Sequence, residues 1–384
     1  MGRTGRRNTR YKTKSMKRGF DQIHEETKPD KLETTLEKAT VPDEEKPGLG
    51  QYFCPFCHKY FISAAAKVSH EKSAPHKRAL KRLLEDPHNQ YDADWAIQNL
   101  LKKLSQRNPL VTYEVLGQTH EGRDLFAIEI TKNKSLPVIW VDGGIHAREW
   151  ISPSSLLYLI DHLVSTSSSK SYLDKYQFIL IPVLNPDGYV YSHKYDRYWR
   201  KNRSRPKSTC VGVDVNRNFP AFWLPTDGEG CPDSYSGPSA ASELETQAMI
   251  KYSKNLVSTR NVQAFLTIHA YGQLLMLCYG NKKLSYPKNY NDLAVLALMM
   301  KNDLIQNQNA SYSVGNIVDL LYEAGGGSTD YSTIDLQIPV NFAIELADTG
   351  QYGFIMPASF IIPVGKHVVQ MVETLVREMK PTKI

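Results

Sequence analysis

Short apolar runs alternate with helix-forming stretches over most of the chain, and this alternation constrains its fold more than any other feature. Five runs are typical of buried strands, at 125–130, 137–142, 178–183, 262–268 and 340–346. Helical periodicity is found at 92–104, 153–164, 242–255, 292–306 and 365–379. Because a sheet built this way needs cover on both sides, we predict an α/β fold with a mixed, mostly parallel sheet and helices on both faces.

Composition narrows the class of protein further. Hydrophobic residues make up 41% of the 384 residues and charged residues 23%, which excludes a wholly disordered chain. No apolar run approaches the roughly 18 residues that span a bilayer, so we predict no membrane association. Two segments rich in Gly, Ser and Tyr, 185–241 and 308–333, are predicted to be long loops, and such loops are usually functional.

The net charge of +7 lies entirely in residues 1–87, which hold 19 Lys and Arg against 12 Asp and Glu, whereas residues 88–384 hold 28 of each. Eight basic residues precede the first acidic one, so this start should attract polyanions, with a solvated tail as the alternative. We predict a disordered basic arm and linker over 1–50. The start lacks an apolar core, so it does not fit a secretory signal peptide.

Four residues downstream of the arm have the spacing of a zinc site. Cys54, Cys57, His70 and His76 follow the pattern C-x2-C-x12-H-x5-H. A hairpin over 51–63 would supply two thiolates and a helix over 64–84 two imidazoles, which together satisfy a tetrahedral zinc ion. Phe61 and Val68 would furnish the small core. We therefore predict a zinc finger with one structural zinc over residues 51–87.

Residues 1–87 resemble small nuclear zinc-finger proteins associated with assembly of the large ribosomal subunit. The Cys-Pro-Phe-Cys knuckle at 54–57, the wide spacing between His70 and His76, and the basic pairs at 77–78 and 81–82 carry this resemblance. It implies a nuclear protein that binds structured RNA or a pre-ribosome, mainly through phosphate contacts.

A second group of metal-binding residue types follows two of the apolar runs. His146 and Glu149 come directly after the run at 138–142, and His269 ends the run at 264–268. Two His and one Glu leave a fourth position of zinc for water, the pattern of catalytic sites. We expect no comparable partners for six other histidines, which are His58, His88, His120, His162, His193 and His367.

Residues 90–384, within a catalytic domain predicted over 88–384, resemble the catalytic domain of the zinc carboxypeptidase A/B family. The matching segments are 146–150, 185–189, 199–201, 212–218, 267–271, 321–322 with 326–328, and 344–346. The resemblance implies that His146, Glu149 and His269 hold a catalytic zinc, a ligand set known from carboxypeptidase A. It also implies that Glu345 acts as general base and then acid, and that Arg200 stabilises the oxyanion. The alternative to this catalytic role is that Glu345 only forms an ion pair with a cation.

The same resemblance implies how a peptide or protein C-terminus is bound. The terminal carboxylate would be bound by Arg148, Asn216, Arg217 and Tyr322, with Tyr271 lining the substrate channel. The terminal side chain would enter a pocket lined by Met276, Gly280, Ile317, Leu321, Ala324, Thr329 and Ala343. No ionised group is among these residues, so we predict a preference for uncharged apolar or aromatic termini.

The resemblance also pairs Cys210 with Cys231 in a disulfide. The fifth cysteine, Cys278, is expected to be a buried, small apolar side chain. Disulfides and nuclear zinc fingers favour opposite redox compartments, so an extracellular location is implied for the second part and a nuclear one for the first. A bifunctional protein, a gene fusion and two neighbouring genes merged in one gene model all remain open, and we favour the last.

The sequence therefore predicts a zinc-dependent metallocarboxypeptidase of the A type with an N-terminal zinc finger of nucleic-acid-binding type. The alternative is a nuclear RNA-binding or pre-ribosome-binding protein whose peptidase domain is a passenger or inactive.

Overall fold

The computed structural model describes residues 23, 26–27, 29–84, 91–166, 171–205, 210–226 and 229–379. The chain divides into two compact units, Met1–Asn89 and Gln90–Ile384. Residues 1–22 of the predicted basic arm and the predicted boundary after residue 87 lie outside the described residues. In the ranges given, no helix is both long enough and apolar enough to cross a membrane.

The first unit contains a small hairpin flanked by helices. Strands β1 (Tyr52–Cys54) and β2 (Lys59–Phe61) pair antiparallel, as predicted. A helix, α1 (Pro29–Ala39), occupies part of the segment that we predicted to be a linker. The hydroxyl of Tyr60 donates a hydrogen bond to the carbonyl of Ala39 at 3.0 Å, which ties the end of this helix to the hairpin.

Two further points about the first unit correct the prediction. The helix expected over 64–84 is two helices, α2 (Ala64–Glu71) and α3 (Ala74–Leu84). The break falls at Ser73, whose hydroxyl accepts from the amide of His76, and at Pro75, which favours a first helical turn. The small core contains Phe53, which is buried, whereas Val68 is 47% exposed.

The second unit is built on one sheet with eight strands among the described residues. Its strands are β3 (Val111–Gln118), β4 (Asp124–Ile130), β5 (Val138–Gly143), β6 (Gln177–Ile181), β7 (Val262–Ala270), β8 (Leu274–Leu277), β9 (Ser313–Asn316) and β10 (Val340–Leu346). Its helices are α4 (Tyr91–Arg107), α5 (Ile151–Ser165), α6 (Pro186–Lys194), α7 (Leu244–Thr259), α8 (Tyr290–Gln308), α9 (Ile317–Leu320), α10 (Ser328–Ile334) and α11 (Ile361–Glu378).

The strand order is β3-β4-β6-β5-β7-β10-β8-β9. The four central strands β6, β5, β7 and β10 are parallel, and β3, β4 and β8 add antiparallel pairs. Buried apolar residues form separate core clusters, one of which contains Leu156 of α5 and another Met249 of α7. The predicted mixed, mostly parallel sheet with helices is confirmed, and all five predicted strands are present.

The predicted long loops contain regular structure. Helix α6 begins at Pro186, and the side chain of Asn185 caps it by accepting from the amide of Gly188. Strand β9, helix α9 and the start of α10 lie within 308–333. These elements are short, and their Gly, Ser and Tyr content resembles that of a loop, so periodicity did not detect them.

Candidate metal and active site

Three side chains meet at the carboxyl ends of neighbouring parallel strands. His146 and Glu149 follow β5, and His269 lies near the end of β7. The Nδ1 atoms of His146 and His269 are 3.1 Å apart, and they lie 2.8 and 3.2 Å from the two carboxylate oxygens of Glu149. All three residues are buried. Two ring nitrogens and a carboxylate that converge this closely away from solvent fit a zinc ion.

The groups around this cluster orient its members. Thr267 lies 3.2 Å from Nε2 of His269, and the amide of Ala270 donates to Glu149 at 3.2 Å. Burial lowers the pKa of His146, which favours the neutral imidazole that a metal requires. Residues in such outer positions fix ligand orientation.

Asp214 is a component of the site to which the sequence assigned no role. Its Oδ2 accepts from Nε of Arg200 at 2.9 Å, and its Oδ1 lies 3.4 Å from Nε2 of His146. Oδ1 also accepts from the amide of Asn216. Although burial raises the pKa of Asp214, the charges of Arg200, Arg217 and His146 hold it well below its ordinary value. Asp214 therefore remains an anion that links three of the predicted site residues.

Glu345 lies on β10, directly beside His269 of β7 in the parallel register. Its side chain lines the same cavity as His146, His269 and Arg200. Its Oε2 is buried and has no hydrogen-bond partner within the described part of the chain. Burial and the charge of Glu149 raise the pKa of Glu345 to about 8. This carboxylate is not neutralised by a direct ion pair in the described residues, unlike that of Asp214.

Asn216, Arg217 and Tyr322 lie together at the edge of this cavity. The guanidinium of Arg217 donates to the hydroxyl of Tyr322 at 3.1 Å. The side-chain oxygen of Asn216 accepts from the amide of Ser328, which leaves its amide nitrogen for another acceptor. Tyr322 is 56% exposed, so its ring lies at the mouth rather than in the core.

Arg148 and Tyr271 are not brought to the cavity that contains these residues. The guanidinium of Arg148 pairs with Asp233 at 2.8 Å and stacks on the ring of Phe354. The ring of Tyr271 makes an edge contact with that of Phe354, with the ring centroids 4.9 Å apart. The two residues thus share Phe354 as a neighbour.

The uncharged residues predicted to form the side-chain pocket lie together along this cavity. All seven residues predicted for that pocket are found in the lining of the cavity, namely Met276, Gly280, Ile317, Leu321, Ala324, Thr329 and Ala343. Met276 of β8 and Ala343 of β10 are cross-strand neighbours. Asp330, which is not among the predicted lining residues, also lines the cavity. Both of its oxygens accept from the amide of Gly280, and burial raises its pKa to about 7.

A second cluster of potential metal ligands lies in the first unit. Cys54 and Cys57 each place Sγ 3.6 Å from Nδ1 of His76, and that nitrogen lies 3.2 Å from Nε2 of His70. Two sulfurs and two ring nitrogens within 4.8 Å of one another match a closed, four-ligand zinc site. The ring of His70 also stacks against Phe61.

The remaining cysteines behave as predicted. Cys210 and Cys231 form a disulfide, and Nζ of Lys201 approaches both sulfurs, at 3.3 and 3.0 Å. Cys278 is buried, with its sulfur 3.2 Å from the hydroxyl of Thr333.

Comparison with known proteins assigns each unit to a family. Residues 97–371 match the zinc carboxypeptidase family, and residues 51–77 match zinc fingers described as double-stranded RNA-binding. The chain is 38% identical to mouse carboxypeptidase A2, over 73% of this chain and 68% of that protein. It is also 38% identical to rat carboxypeptidase B, over 71% of this chain and 67% of that protein.

A solved structure agrees with these matches. Bovine thrombin-activatable fibrinolysis inhibitor superposes with a TM-score of 0.69 and 32% identity, covering 74% of this chain and 95% of that one. Relatives of both the A and the B type are similar to this chain to the same degree, so similarity alone does not separate the two types. The chain belongs to the zinc carboxypeptidase family and carries, in addition, a zinc finger of the double-stranded RNA-binding type.

Proposed function

We propose that this chain is an active, zinc-dependent carboxypeptidase that removes uncharged apolar or aromatic residues from peptide C-termini. The observation that carries the proposal is that His146, Glu149 and His269 converge, and that the two histidines line the same cavity as Glu345 and Arg200. A base, a cation and a metal-binding group around one space are the components that amide hydrolysis needs.

The catalytic zinc ion would be held by His146, Glu149 and His269. A bound zinc supplies Lewis-acid polarisation of the scissile carbonyl and of the attacking water. Glu345 takes a proton from that water and transfers it to the leaving amine, because its free carboxylate oxygen faces no competing partner among the described residues. Arg200, fixed by Asp214, presents its guanidinium to the negative charge that develops on the carbonyl oxygen.

Exopeptidase specificity follows from Asn216, Arg217 and Tyr322 at the cavity edge. A guanidinium presents a planar pair of donors that matches a carboxylate, and Tyr322 can add a third donor once it leaves Arg217. Because only the last residue of a chain carries a free carboxylate, an internal peptide bond lacks this contact. Arg148 and Tyr271, beside Phe354, would contact residues further from the terminus.

The preference for uncharged termini rests on the lining of the pocket. Met276, Ile317, Ala343 and Thr329 offer no charge to a substrate side chain, and burying an unpaired charge is costly. Asp330, next to Thr329, is an acidic residue in the lining besides Glu345, but both its oxygens already accept from the amide of Gly280. We therefore expect kcat/KM to be higher for substrates ending in Phe or Leu than for matched substrates ending in Lys or Glu.

The proposal is tested with matched blocked dipeptides that end in a free carboxylate or in an amide. The zinc-loaded chain should release the last residue from the first and leave the second intact, and a chelator should abolish the release. A folded, zinc-loaded chain that cleaves neither substrate would favour the alternative, an inactive peptidase domain on a binding protein.

A second function is proposed for the finger, which we expect to bind structured RNA through phosphate contacts. Lys72, Lys77 and Arg78 are exposed on or beside helix α3, and no acidic residue lies between them. Such a surface contributes affinity that depends on salt rather than on base sequence. Duplex RNA binding measured across a salt series tests this proposal, because binding that does not change with salt would contradict it.

A further inference from the structure

A third group of potential ligands lies outside both sites described above. His120, in the turn between β3 and β4, meets Glu243 and Glu245 at the start of α7. Nε2 of His120 lies 3.3 Å from Oε2 of Glu243. We predicted no such partners for His120, and residue spacing did not indicate this group, because His120 lies more than 100 residues before Glu243 and Glu245 along the chain.

The two carboxylates are buried together around one amide. Asn202 donates from Nδ2 to Glu243 at 2.7 Å and to Glu245 at 2.9 Å. The orientation of that amide is set by its oxygen, which accepts from the backbone amide of Val213 at 2.8 Å. Both amide hydrogens of Asn202 are thereby used, so Asn202 has none left for the remaining carboxylate oxygens.

One oxygen of this pair is left over. Oε1 of Glu243 accepts from the hydroxyl of Ser242 at 2.7 Å, and Oε2 is shared by Asn202 and His120. Oε1 of Glu245 has no partner within the described residues, although the side chain is fully buried. A buried carboxylate oxygen without a partner is destabilising, so such an atom commonly marks a missing ion or water.

Among the described residues, the cationic group that faces these carboxylates is His120, whose pKa is raised by its contact with Glu243. Across the described ranges, no Lys or Arg forms an ion pair with Glu243 or Glu245. The charge of Asp187, also buried, adds to the negative potential at Glu245. The start of α7 offsets a part of this charge through its dipole. A divalent cation would neutralise both carboxylates and leave His120 as a neutral ligand.

We propose that His120, Glu243 and Glu245 form a further divalent-metal site, which takes zinc and has a structural role. One imidazole and two carboxylates suit zinc, and the side chain of His120 is 29% exposed, which leaves water access to a fourth position. The ion would join the β3–β4 turn to the start of α7. Asn202, two residues after Arg200, contacts both acidic ligands, so the site would also brace the segment that carries that arginine.

The test counts zinc bound by the full-length chain after dialysis against zinc chloride, with atomic emission as the readout. Glu245→Gln keeps an oxygen for Asn202 but removes the charge, and His120→Asn removes the imidazole. We expect each variant to bind one zinc fewer per chain than the wild type. His162→Gln, a partly exposed histidine outside the group, is the matched control and should bind as much zinc as the wild type.

The difference between the wild type and the variants is independent of whether the chain hydrolyses peptides. Equal zinc content in the wild type and in folded His120→Asn would overturn the proposal and identify the group as a proton-sharing network. Should Glu245→Gln fail to fold, His120→Asn carries the same test, because its position is in a turn at the surface.

Discussion

Asp214 accepts a hydrogen bond from Nε of Arg200 at 2.9 Å, and its other carboxylate oxygen lies 3.4 Å from Nε2 of His146. One buried anion thus orients both the guanidinium proposed to stabilise the oxyanion and an imidazole proposed to hold zinc. The dependence of Arg200 and His146 on the carboxylate of Asp214 can be tested separately from the proton transfer proposed for Glu345.

Replacing Asp214 with Asn should reduce kcat/KM by about 10–100-fold, the usual range for a group that orients a metal ligand. Zinc affinity, measured by competition with a chelator, should fall in the same variant, because His146 loses its anionic partner. Asp303→Asn is a control for the loss of a carboxylate, since Asp303 pairs with Arg377 on α11. Activity and zinc affinity that both match the wild type in Asp214→Asn would contradict this role.

The sequence was sufficient for the central strands and the two ligand clusters because these rest on local signals. Apolar runs identified β5, β7 and β10, and the His and Glu residues follow or end such runs. Asp214 and His120 were missed for a different reason. Each acts through partners that are distant along the chain, and an acidic or imidazole side chain without local spacing does not differ from a surface residue until the fold is known.

The side-chain pocket also contains a residue that could not be predicted from the sequence. Its lining was predicted by resemblance, which included Thr329 but not its neighbour Asp330. Whether an acidic residue in a pocket acts on a substrate depends on what else binds it, here the amide of Gly280, and only the three-dimensional structure gives that information.

Thr329→Asp should shift specificity toward basic termini, because the new carboxylate would lie in the pocket lining where Thr329 is now. A hydrogen bond to a charged group contributes about 1.5–3 kcal/mol, so the ratio of kcat/KM for Lys over Phe should rise about 10-fold or more. Asp330→Asn is the matched control. If Asp330→Asn changes this ratio and Thr329→Asp does not, Asp330 rather than position 329 determines specificity.

The pH dependence of kcat/KM should have an acid limb that belongs to Glu345. A general base works only when deprotonated, so activity is present above its pKa and is lost as the pH falls through it. Burial raises that pKa from 4.5 to about 8, and a neighbouring zinc ion would lower it again, so we expect the limb between these values. A limb at or below pH 4.5 would contradict the assignment.

The finger should unfold when a chelator removes its zinc, because two short strands and two short helices offer little other core. Binding of the full-length chain to duplex RNA should be lost at the same chelator concentration. Arg78→Gln should weaken binding to all duplexes and lower the slope of log affinity against log salt by about 1, whereas Lys251→Gln, in the second unit, should leave the slope unchanged.

The central claim is that Glu345 performs proton transfer in a site that holds zinc independently of it. The most direct measurement compares the wild type with Glu345→Gln, determining kcat on a blocked dipeptide ending in Phe together with zinc bound per chain. The account predicts full zinc content and a kcat at least about 100-fold lower in the variant, the usual contribution of such a base. A variant that retains its zinc and turns over at a rate near that of the wild type would contradict it.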